Sequence, residues 1–113
     1  MADCIFCKIV SGEIPSTKVF ENDDVIAFND LDPKAPVHIL VIPKCHISDM
    51  TQISAENSEV ISKIYEAIAV IGKRSELDSG FRVVCNSGVD AGQSVPHLHF
   101  HLLGGRSLSW PPG

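Results

Sequence analysis

From position 97 to 103 the chain reads His-Leu-His-Phe-His-Leu-Leu, a polar–apolar alternation with the period of a β-strand. Successive side chains on a strand point to opposite faces, so His97, His99 and His101 share one face and Leu98, Phe100 and Leu102 the other. The apolar face belongs against a core. Three imidazoles in a row on the second face are either satisfied by water and backbone, or they do chemistry. Near neutral pH imidazole is largely a free base, suited to binding a metal, moving a proton or attacking an electrophile. The loop just upstream, Asp90-Ala91-Gly92-Gln93-Ser94-Val95, favours chemistry. Glycine lets backbone approach a ligand closely, successive N–H groups in a turn can cradle an anion, and Ser94 adds a hydroxyl. Beside three histidines, this loop reads as part of a phosphate-handling site.

The rest of the chain supplies the frame. Ile5 and Ile9 allow one or two helical turns after Cys4, stopped by Ser11-Gly12. Thr17 to Glu21 and Val25 to Asn29 read as strands joined through Asn22-Asp23-Asp24, which is turn chemistry. Asp32-Pro33-Lys34-Ala35-Pro36 is a loop, and Val37 to Ile42 is an apolar strand ended by Pro43. Ser54 is placed to cap a long helix in which Val60, Ile61, Ile64, Ala67, Ile68 and Ile71 follow helical spacing, ending between Gly72 and Gly80. Phe81 to Asn86 and His97 to Leu103 complete the strands. This order predicts an α+β fold: a five-stranded antiparallel sheet with one long helix and one short N-terminal helix, in a single domain over 1–113.

At 113 residues the chain is long enough for one core without staples. Nine basic against fourteen acidic residues gives a net charge of −5 and no basic stripe, which argues against nucleic-acid binding. No apolar run reaches the roughly 18 residues of a membrane span, and the N-terminus does not read as a signal peptide. A cytoplasmic location is expected. Four cysteines in that setting predict a metal site or free thiols rather than disulfides; Cys4 and Cys7 form a C-x-x-C pair, while Cys45 and Cys85 look structural.

His97-Leu98-His99-Phe100-His101-Leu102-Leu103 resembles the signature of the histidine triad (HIT) family at every position. Other segments resemble its Hint branch: Ile5-Phe6, Glu13-Ile14-Pro15, Ala27-Phe28-Asn29-Asp30, His38 through Lys44, Gly92-Gln93-Ser94-Val95, Gly104-Gly105-Arg106 and the terminal Trp110-Pro111-Pro112-Gly113. The resemblance implies a HIT-like fold with the sheet continued across a homodimer. It implies hydrolysis of purine nucleoside phosphoramidates, such as AMP joined to an amine, through a nucleotidyl-histidine intermediate.

Residue by residue, the resemblance makes His99 the nucleophile, with its second ring nitrogen held by a backbone carbonyl. His101 would contact phosphate oxygens, Ser94 would lie near phosphate and leaving group, and His38 would support the nucleophile. Backbone donors at Gly92, Gln93 and Ser94, with Val95 beside them, would hold the phosphate. Asp30, next to Leu31, would accept from the ribose hydroxyls, and Asn86 would contact ribose and phosphate. Ile5, Phe6, Ile14, Phe28 and Leu40 would wall the base. The terminal Trp-Pro-Pro-Gly would reach a neighbouring subunit's site. Plainer readings stand beside these: Phe28 and Leu40 as core, Asp30 and Asn86 as turn formers, His38 as a core histidine.

The resemblance also extends to relatives that hold a structural zinc through two cysteines and two histidines, here Cys4, Cys7, His46 and His97. The alternative is two free thiols on a short helix. Three further functions compete: a dinucleoside polyphosphate hydrolase or nucleotidyl transferase, a non-catalytic nucleotide- or metal-binding protein, and a zinc hydrolase ligated by His97, His99 and His101.

Overall fold

The computed structural model describes residues 4–113. Helix α1 spans Ile5–Ser11. Cys4 caps it through Sγ, which accepts from the Cys7 amide, and Gly12 ends it at φ 85°, with its N–H on the Ile9 carbonyl. Seven residues are too few for a helix to stand alone. Burial of Phe6 and Ile9 holds it in place.

Strands β1 (Lys18–Glu21) and β2 (Val25–Asn29) form the expected hairpin. Asn22 Oδ1 accepts from the amides of Asp24 and Val25, both at 2.9 Å, which closes the turn. Strand β3 (Val37–Pro43), helix α2 (Glu59–Arg74), β4 (Phe81–Val84) and β5 (Phe100–Gly104) follow. Among the described residues the sheet has five antiparallel strands in the order β1-β2-β3-β5-β4. The fold class is α+β, as the element order predicts.

Alternation builds two apolar layers, one on each face. Val25, Ala27, Ile39, Val41, Phe100 and Leu102 meet Ile64, Ala67, Ile68 and Ile71 of α2. On the opposite face Ile26, Phe28, Leu40 and Ile42 meet Cys4, Phe6 and Ile9 around α1. Strand β3 therefore has both faces covered, which explains its unbroken apolar run.

Three boundaries differ from expectation by two residues or more. β5 begins at Phe100, not His97. Its register on β3 pairs Val41 with Phe100, so Leu98 falls opposite Pro43, which has no N–H for the ladder. Residues 97–99 stay extended enough for Leu98 to enter the α2 core, and its amide bonds Ile47 O instead. β4 stops at Val84, because Cys85 packs toward the α2 core and Ser87 Oγ accepts from the Met50 amide. Ser54 does not cap α2: Ser54 and Asn57 close a separate turn, Asn57 Oδ1 taking the Ser54 amide at 2.7 Å, and the helix starts at Glu59.

Candidate active site and metal centre

β3 and β5 place His38 and His101 on the α1 face of the sheet. Their hydrogen bonds fix both tautomers. His38 Nδ1 accepts the Lys34 amide at 3.0 Å, so in the neutral ring the proton sits on Nε2. His38 Nε2 then donates to His101 Nδ1 at 2.9 Å, which leaves His101 with its own proton on Nε2. Asp30 Oδ2 lies 3.4 Å from the same His38 nitrogen. Burial pushes the His38 pKa below the ordinary 6.5, partly opposed by Asp30. Burial, then the neighbouring His99 and His38, lowers His101 in the same direction. Burial thus favours the neutral form of both rings.

Asp30, His38 and His101 bring three donor atoms within 4.8 Å of one another. They do not suit a metal, because His38 would have to offer the nitrogen that carries its proton. The cluster is a hydrogen-bond relay.

His99 is buried beside it, edge-on to Phe6 at 5.1 Å and 5.2 Å from the His101 ring. Its Nδ1 donates to the carbonyl of His97 at 2.7 Å. Nε2 is therefore the lone-pair nitrogen, the requirement for a nucleophilic imidazole.

His97 shares that face, edge-on to the same Phe6 ring, but its nitrogens meet other partners. Its Nε2–H donates to Pro43 O at 2.9 Å, and its Nδ1 lies 3.3 Å from Cys4 Sγ and 3.6 Å from Cys7 Sγ. His46 Nδ1 is 3.3 Å from Cys7 Sγ. These four ligand atoms all fall within 4.8 Å of one another. Tetrahedral zinc with ordinary bond lengths places S and N ligands roughly 3.5 Å apart, so the spacing fits. The Pro43 carbonyl supplies the outer partner that metal-ligating histidines usually have. Burial, and then Cys4, pushes the Cys7 thiol up, and a bound cation would reverse that by taking it as thiolate.

The predicted site residues divide between two clefts, each of about 450 Å³. Asp30, His38, Asn86 and His101 line one, with Asp32, Lys34 and Pro112. Ile5, Ser94 and Val95 line the other, beside Cys4 and His46. Phe6, Phe28 and Leu40 are buried in the apolar layer under α1, with Ile14 packed against it. Leu31 is almost wholly exposed.

Two of the three amides expected to cradle an anion are engaged within the glycine loop. The amides of Gly92 and Gln93 donate to Val89 O and Gly88 O inside the loop. Gln93 is a brace: its Nε2 donates to Ser48 O and Val95 O, and its Oε1 accepts from the Gly88 amide. Asp30 also does the turn work of its plainer reading, since Oδ1 accepts the Asp32 amide at 2.7 Å. Pro112, from the terminal Trp-Pro-Pro-Gly, lines the same cleft as His101. Sequence reasoning missed Lys34 and Pro43, which act through backbone groups that no side-chain type announces. Asp32 carried a signal, as a charged neighbour of Asp30.

Residues 11–108 match the model of the HIT domain family. Among curated proteins the chain is 48% identical over 111 residues to a HIT-like protein of Synechococcus elongatus, covering 98% of this chain and 97% of the relative. It is 44% identical to the 14 kDa zinc-binding protein of Brassica juncea, covering 98% of this chain and 100% of the relative. It is also 44% identical to adenylylsulfatase HINT1 of Arabidopsis thaliana, covering 96% of this chain and 76% of the relative. Among solved structures, a HIT family hydrolase of Legionella pneumophila superposes with a TM-score of 0.96 at 44% identity, covering 98% of this chain and 100% of that one. A histidine triad protein of Clostridium difficile gives 0.94 at 52% identity, covering 96% of both. A histidine triad nucleotide-binding protein of Candida albicans gives 0.83 at 36%, covering 96% of this chain and 83% of that one.

Proposed function

The chain belongs to the HIT domain family, and from that membership we propose that it is a nucleotide-binding hydrolase that cleaves the P–N bond of purine nucleoside 5′-phosphoramidates. One observation carries the reading: the 2.7 Å bond from His99 Nδ1 to the His97 carbonyl, which leaves Nε2 with a free lone pair. That nitrogen attacks the α-phosphorus. The bond to the amine breaks, and the amine takes a proton from His101 Nε2. Water then attacks the nucleotidyl-histidine, the P–N bond to His99 breaks, and the water's proton returns to His101 as AMP leaves. His101 donates from its protonated form and is left neutral, ready to take the water's proton, with His38 and Asp30 behind it. Asp30 and Asn86 share the cleft with His101 and are assigned to ribose and phosphate; Ser94 is assigned to the leaving-group side.

Cys4, Cys7, His46 and His97 would hold zinc. With every position filled by protein, zinc supplies structure rather than chemistry, tying α1 to the strand that carries His99. The free cysteines accord with a cytoplasmic, reducing setting, and the place of β4 at the edge of the sheet with a homodimer. The described residues contain no helix long and apolar enough to cross a membrane.

A second leaving group, sulfate on an adenylyl group, is favoured by the name of the Arabidopsis relative. The same nucleophile serves it. The test is AMP release from adenosine 5′-phosphoramidate and from adenylyl sulfate by the wild type and His99→Ala. Turnover of the phosphoramidate that vanishes in the variant supports the reading; turnover of neither substrate overturns it.

A further inference from the structure

The Gly104-Gly105-Arg106 segment has no part in the chemistry above, yet it grips the loop that does. Gly105 sits at φ 89°, and a Cβ there would fall 2.9 Å from Pro36 Cβ, so only glycine lets this turn close on the loop's end. Arg106 then reaches back: Nη1 bonds Ser107 O, and Nη2 donates to Lys34 O at 2.9 Å. Lys34 is the residue whose amide sets the His38 tautomer.

We propose that Arg106 is a positioning residue that sets the direction of the imidazole relay, by holding Lys34 so that its N–H stays on His38 Nδ1. The proposal rests on the catalytic reading for its consequence, but not for its geometry. While the Lys34 amide is in place, His38 donates through Nε2 and His101 presents an N–H to the cleft. If that amide swings away, His38 is free to carry its proton on Nδ1. Its Nε2 then accepts, His101 must donate through Nδ1, and a bare lone pair faces the cleft. The same two rings would offer the wrong end to a leaving group that needs a proton. Arg106 itself is exposed, so its replacement removes little buried surface and the fold survives.

Long-range ¹H–¹⁵N correlation spectra of ¹⁵N-labelled protein read the protonated nitrogen of each histidine without any need for turnover. The wild type should show His38 and His101 protonated on Nε2. Arg106→Met keeps the alkyl stem and removes the donors; it should mix the tautomers of both rings. The variant's kcat for AMP release should fall about tenfold, with KM within about twofold, the scale of one lost hydrogen bond. Arg106→Lys should restore both. Should Arg106→Met not fold, Arg106→Gln carries the same test with a side chain too short to span the gap. A wild-type His101 protonated on Nδ1, or a variant with unchanged ring nitrogens, overturns the proposal. A wild type that releases no AMP sinks the catalytic reading instead, and the ring nitrogens still report on Arg106.

Discussion

The carbonyl oxygen of His97 lies 2.7 Å from Nδ1 of His99, while the imidazole of His97 turns the other way, toward Cys4 and Cys7. One residue thus faces the Cys/His cluster with its side chain and sets the tautomer of His99 with its backbone. The proposed chemistry and the proposed metal site are adjacent but separable, and experiments can part them.

Replacing His99 with alanine removes the nitrogen proposed to form the covalent intermediate. AMP release should drop by about 1,000-fold or more, the scale seen when a nucleophile is deleted. A variant within tenfold of wild type in a steady-state assay would show that water attacks directly.

Loading with zinc should give one ion per chain by atomic absorption, and Cys7→Ser should abolish tight binding. Stripping the ion should lower the melting temperature by several degrees, since metal affinity here is folding free energy. The chelated protein should keep most of its AMP-releasing rate while folded. An immediate, complete loss of rate with the circular dichroism unchanged would make the metal catalytic.

Asp30→Asn preserves an oxygen for the Asp32 amide but removes the carboxylate proposed to meet ribose. AMP should bind about tenfold or more weakly, in line with a lost charge-assisted hydrogen bond, whereas the 2′,3′-dideoxy nucleotide should bind unchanged. Equal losses for both ligands, measured by calorimetry, would mean that Asp30 serves the loop alone.

His38 and His101 have pKa values lowered by burial, so the unfolded chain binds more protons than the folded one once the pH drops below about 6.5. Stability should hold above pH 7 and decline as the pH falls through 6.5 toward the lower folded values. Denaturant midpoints at pH 7.5, 6.5 and 5.5 check this. A flat profile across that window would contradict neutral rings.

What could be read from the sequence was what periodicity carries. The alternation at 97–103, the run at 37–42 and the spacing of Ile64, Ala67, Ile68 and Ile71 each record which side of an element is covered, and both apolar layers follow from them. The pairing of Cys4 and Cys7 with His46 and His97 was visible through family resemblance. Backbone partners were not legible. Pro43 ends the β3–β5 ladder by lacking an N–H and orients His97 by having a carbonyl; only the first is written in its residue type. Gln93 is expected to offer its backbone N–H to a phosphate, but that amide bonds Gly88 O, and its side chain ties the loop to Gly88, Val95 and Ser48. Ser54 lost the cap of α2 for a similar reason, Asn57 having drawn it into a tighter turn.

Strand β3 carries His38 between Val37 and Ile39, in the middle of the sheet and under cover on both sides. A strand so enclosed has no local route by which its amides can reach solvent. Hydrogen exchange along Ile39 to Ile42 should proceed through global opening alone, at the slowest rate in the molecule. His38 hangs on that strand, so its ring keeps its place in the sheet until the whole fold opens. Heat inactivation and thermal unfolding should then trace a single curve.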